Sequence, residues 1–76
     1  MNFYFNEYIG EQMISFNFDG TNLIEFNEEM KHLAENKIQG IITSFNPERL
    51  SFEVSFPGYG EYFYPAVESI PHIISL

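Results

Sequence analysis

Cysteine is absent from this sequence, which removes disulfide frameworks, thiol chemistry and cysteine-based zinc sites. Basic residues are nearly absent: Lys31, Lys37 and Arg49 stand against 11 acids, giving a net charge of −8. Direct binding of DNA or RNA needs clustered lysine and arginine to neutralise phosphates, so it is not expected. Docking on anionic lipid is unexpected for the same reason. No stretch approaches the roughly 20 apolar residues that a membrane helix requires. Residues Met1 to Glu7 offer neither a positive region nor a long apolar segment, so no secretory signal is expected. The cytoplasm is the expected compartment.

Aromatic side chains, by contrast, are plentiful: nine Phe and five Tyr in 76 residues. A chain this short buries only about 60% of its unfolded surface, so large rings are an economical filling for a marginal core. Apolar residues make up 45% of the composition, more than a disordered acidic tail carries. One compact domain over residues 1–76 is expected. Asn, Ile, Phe and Tyr are abundant and share AT-rich codons, yet a genome biased that way also supplies lysine. The scarcity of lysine therefore marks the acidity as selected, for solubility or for a partner.

Phe3, Phe5, Ile14, Phe16 and Phe18 alternate with polar residues, which predicts a β-hairpin over the first 18 residues. Gly10-Glu11 suits its type II′ turn, a register that sets Phe5 opposite Phe16 and Phe3 opposite Phe18. Asp19-Gly20 is a second turn signal. Thr21 to Phe26 reads as a third strand, although Asn22 and Glu25 could instead open a helix early as a capping box. A helix is expected over about 27–38, with Asn27 as N-cap and Glu28 and Glu29 in its first turn. Its apolar stripe is Met30, Leu33, Ala34 and Ile38, and Gly40 is the expected C-cap.

The second half reads as strands again. Gly40 to Phe45 is one, Asn46-Pro47-Glu48-Arg49 a turn, and Leu50 to Phe56 the next strand. Leu50, Phe52, Val54 and Phe56 are expected to face inward, and Ser51, Glu53 and Ser55 outward. Pro57-Gly58-Tyr59-Gly60 makes a turn before a last aromatic strand, Glu61 to Tyr64. Pro65 ends it and places it at a sheet edge. The apolar segment Ile70 to Leu76 is expected to dock on the core. The fold class is α+β: an antiparallel meander, one amphipathic helix, then a second antiparallel meander.

Catalytic signatures are missing. The sequence has no nucleophile elbow, no phosphate-binding P-loop, no zincin motif and no EF-hand loop. Gly58-Tyr59-Gly60 has no helix after it and is no dinucleotide fingerprint. Glu29 and His32 have the spacing of carboxylate metal sites, but such sites use that motif twice. Here it occurs once, and His72 lies in the apolar tail. An acidic, solvated helix face accounts for the pair, so neither metal nor cofactor is expected, and no enzymatic activity.

The surface carries the remaining signal. If the phenylalanines of the first hairpin point inward, Tyr4, Asn6, Tyr8, Met13, Ser15 and Asn17 point outward, unless a second layer covers them. Tyr59 sits between glycines in a turn, with Tyr62 and Tyr64 alternating beyond it; tyrosine and glycine are used together in this way by binding loops. Tyr4, Tyr8, Tyr59 and Tyr62 are thus the candidate anchors, with Glu28, Glu29, Glu53 and Glu61 meeting cations on a partner. The expected partner is a larger protein with a basic surface or groove. In size, acidity and lack of catalytic motifs the chain is similar in type to phage anti-defence proteins, anti-CRISPRs among them, a likeness of kind and not of family. The function expected is non-catalytic inhibition of a nucleic-acid-handling enzyme. The alternatives are an immunity protein or antitoxin against a toxic nuclease, and a homo-oligomeric assembly subunit, for example a homodimer.

Overall fold

A computed structural model describes residues 4–20 and 23–74. The clean alternation of the second half builds its centre. Strands β3 (Ser51–Phe56) and β4 (Gly60–Pro65) form a hairpin around the turn at 57–59, where Gly58 and Gly60 have φ of 87° and 103°. Strand β2 (Gln39–Asn46) pairs with the other side of β3. Two short strands, β1 (Gln12–Ile14) and β5 (Ile73–Ile74), complete one antiparallel sheet in the order β4-β3-β2-β1-β5. With helices α1 (Glu28–Glu35) and α2 (Ala66–Ser69), the fold is α+β, as expected, with a second short helix where one helix was expected. Pro65 does close an edge strand, and residues 73–74 of the apolar tail do dock, as β5 against β1. Among the described residues, no helix is long and apolar enough to cross a membrane.

Paired residues in neighbouring strands point to the same side, so the register separates two faces. Phe45, Phe52 and Tyr64 form one cross-strand row, and Ile42, Val54 and Tyr62 form the next. This face holds the core, with Phe52, Val54, Phe56 and Tyr64 fully buried. Met30 and Leu33 of α1 join it, together with Phe5, Phe16, Phe18 and Ile24. Gly40 is there to make room: a Cβ on it would stand 2.8 Å from the Phe56 ring and from the Ser55 carbonyl oxygen. On the opposite face Ile41 remains 43% exposed, while Ser51 is fully buried.

Both ends of α1 are capped locally. Asn27 Oδ1 accepts a hydrogen bond from the Met30 backbone N–H at 2.9 Å. At the other end Lys37, with φ of 51°, reverses the chain. Its N–H donates to the Ala34 carbonyl and that of Ile38 to the Leu33 carbonyl, the paired bonds of a Schellman motif. The helix therefore stops at Glu35, short of the expected 38. Gly40 belongs to β2, where close packing and not capping demands glycine.

The first 20 residues depart most from expectation. Phe5 to Tyr8 form a 3-10 turn, so no hairpin forms and Phe5 does not face Phe16. Phe5 instead stacks on Phe45 at 4.9 Å. Gly10 does adopt a positive φ of 95°, but it joins the 3-10 turn to β1, with its N–H donating to the Ile42 carbonyl. The first meander is replaced by β1, which lies between β2 and β5 in the single sheet. Met13 and Ser15, expected outside, are buried. The Phe3–Phe18 pairing and Thr21 and Asn22 lie outside the described residues; Leu23 to Phe26 form neither strand nor helix. Leu50 is not core: its φ of 49° swings it out to 55% exposure. Ser51, expected outside, is fully buried.

Three substitutions test this account by urea or thermal unfolding. Asn27→Ala removes the cap and should cost about 1 kcal/mol. Gly40→Ala forces a methyl into the Phe56 ring and should cost about 1–3 kcal/mol. Lys37→Gly relieves the left-handed backbone and should stabilise by about 0.5–1 kcal/mol.

Candidate protein-binding edge

Strand β4 has no strand on its outer side among the described residues, and its alternation sends Tyr62 and Tyr64 to the core face and Glu61 and Phe63 to the open face. Tyr64 is fully buried, while Tyr62 is half-buried at the margin. The Tyr62 hydroxyl donates to the Tyr59 carbonyl at 3.0 Å, so Tyr62 braces the turn that presents Tyr59. Tyr59 itself is 40% exposed. Burial, reinforced by the negative charge of the nearby Glu29 carboxylate, pushes the Tyr62 hydroxyl up to about 12. That closeness places the start of α1 beside β4.

A groove of about 340 Å³ runs between these elements. Leu23 and Phe63 give it apolar walls over a floor of buried Ile24 and Met30; Glu25, Asn27, Glu61 and Tyr62 give it polar ones. At one end the Arg49 guanidinium lies over the Phe63 ring, 5.3 Å from its centroid. On the open face Glu53 is paired across the strands with Phe63. An extra residue in β2 leaves both Thr43 and Ser44 opposite Glu53: Thr43 Oγ1 donates to its carbonyl, and Ser44 Oγ to its Oε1 at 3.2 Å.

Of the eight residues singled out from the sequence, Glu29, Glu53, Tyr59, Glu61 and Tyr62 therefore gather around β4, and Glu28 stands exposed beside Glu29 in the first turn of α1. The other two belong to a different element. Tyr8 turns inward, its ring edge-on to Phe52 at 6.0 Å, and Tyr4, 63% exposed, leads into the same 3-10 turn. Glu25, Arg49 and Phe63 were not anticipated. The period-two pattern of β4 does put Phe63 on the face of Glu61, and that signal was available. Nothing local brings Glu25 or Arg49 to the same place.

No family model, curated protein or solved structure matches the chain. The site must be judged on its chemistry. Nine of the 11 carboxylates are exposed, only Glu11 and Glu53 being half-buried. None is ion-paired among the described residues, and with three basic residues against 11 acids the field is strongly negative. His32 is exposed on α1, its Nδ1 3.4 Å from Asn36 Nδ2, and His72 stacks on Phe16 at 4.1 Å. Among the described residues no three acidic or histidine side chains converge on a common point.

The tyrosines give this edge a pH signature. Tyr64 is also shifted upward, by burial and then by Tyr62. Both hydroxyls hold their protons more tightly in the folded chain than the ordinary value of 10.0. Their contribution is thus complete below about pH 10 and is lost as the pH rises through the folded values. Stability should fall steeply on the alkaline side. In a tyrosinate absorbance titration, Tyr62→Phe should remove a component near pH 12, and Glu29→Gln should move that component down.

Proposed function

We propose that this chain is a non-catalytic, protein-binding inhibitor of the anti-defence kind carried by phages or mobile elements. In this reading it acts in the cytoplasm and sets its β4 edge into the basic groove of a nucleic-acid-handling enzyme. The supporting observation is the gathering of unpaired carboxylates around a braced, exposed tyrosine. Glu28, Glu29 and Glu61 present charge while Tyr59 presents a ring from a turn whose backbone is tied by Tyr62. Such a surface attracts a basic protein rapidly and repels acidic ones, including nucleic acid itself. An inhibitor of this kind needs no chemistry of its own. It needs only to cover the cations that would otherwise hold phosphates.

Affinity capture on the intact chain from a low-GC bacterial lysate, at low and moderate salt, tests the reading. The expected catch is a nuclease or other nucleic-acid enzyme that is lost as salt rises. Recovery of the chain alone would overturn inhibition in favour of self-assembly. With a partner in hand, Glu28→Lys should chiefly slow association and flatten its salt dependence. Tyr59→Ala should chiefly speed dissociation, at a cost of about 2 kcal/mol or more.

A further inference from the structure

The groove beside β4 is more specific than a negative surface. Ile24 and Met30 are buried and form its floor, Leu23 and Phe63 give it apolar walls that suit an aliphatic stem, and Glu25 and Glu61 stand exposed on its rim. The chain also displays one half of the chemistry itself, since the guanidinium of Arg49 already rests on Phe63 at 5.3 Å. A planar, weakly hydrated cation can stack on a ring and donate to a carboxylate at the same time, which an ammonium does less well.

We propose that this groove receives a single arginine side chain of the partner, its stem along Leu23 and Phe63 and its guanidinium against Glu61 and Glu25. The assignment rests on the protein-binding reading above and names what that surface recognises. Arg49 has a part in it. It occupies one ring face and offsets part of the rim's charge, so it competes with the incoming guanidinium. Affinity at the groove is set by the balance of Glu25 and Glu61 against Arg49.

The test uses the intact 15N-labelled chain titrated with N-acetyl-arginine amide, and with the neutral isostere N-acetyl-citrulline amide, followed by amide chemical shifts. Saturable shifts are expected at Glu25, Glu61, Tyr62 and Phe63 with the arginine compound alone. Glu61→Gln should weaken that binding about two- to fivefold, the range of an exposed ion pair. Arg49→Gln should strengthen it, an effect that loss of folding cannot imitate. Equal shifts at Glu35, at the far end of α1, would overturn the proposal in favour of general charge screening. So would equal binding of the citrulline compound, or no effect of Glu61→Gln. Because the probe is a small amide, its binding stands or falls apart from lysate capture: a seated arginine with no captured enzyme would leave the groove and remove the inhibitor.

Discussion

The face of the sheet that carries Phe52, Val54, Phe56 and Tyr64 must bury most of the apolar surface of this small molecule, and here the burden falls on a layer of rings. Phe52, Phe56 and Tyr64 are fully enclosed between the strands and the segments laid over them. Phe56 and Tyr64 lie 5.8 Å apart, and Phe16 and Phe18 pack on Tyr64 at 5.3 and 5.5 Å. Aromatic side chains each remove a large area from water and stack or tilt against one another at some further gain. An α1 of eight residues contributes only Met30 and Leu33 as fully buried side chains, so without the rings the layer would be too thin.

Once that layer is closed, the rest of the molecule is arranged around its margins. Gly40 leaves a space because Phe56 lies over it. The 3-10 turn at residues 5–8 covers the ends of β2 and β3 with Phe5, which stacks on Phe45 and meets Phe52 edge-on. Tyr62 ends up where core and solvent meet, its ring beside Phe56 and its hydroxyl tied to the neighbouring turn. The candidate binding edge is thus an outgrowth of the packing. The same strand that supplies Tyr64 to the core supplies Glu61 and Phe63 to the surface.

Charge and core are kept apart with little cross-talk. The carboxylates sit outside the ring layer, and those around β4 stand without cationic partners among the described residues. Exposed ion pairs add little to stability, so their absence costs the fold little while leaving its field strong. A surface left in that state is suited to meeting cations supplied by another molecule.

The strand periodicity of residues 51–64, the turn at 57–60, the N-cap at Asn27 and the edge position signalled by Pro65 were all legible, because each is fixed by contacts between near neighbours in sequence. The alternation of Phe3, Phe5, Ile14, Phe16 and Phe18 was equally regular and did not yield a hairpin. Phe5 gains more by covering Phe45 and Phe52, some 40 residues away, than by pairing with Phe16, and Met13 takes the inward position in β1. Gly40 could be seen as special, but only the Phe56 ring explains why. Of the candidate site, the residue types and the tyrosine–glycine turn came from the sequence. That Glu29 would stand beside Tyr62, and Arg49 over Phe63, came from the tertiary structure. Local chemistry determines turns, caps and periodicity; which distant surfaces meet is decided by the search for the arrangement that removes the most ring area from water.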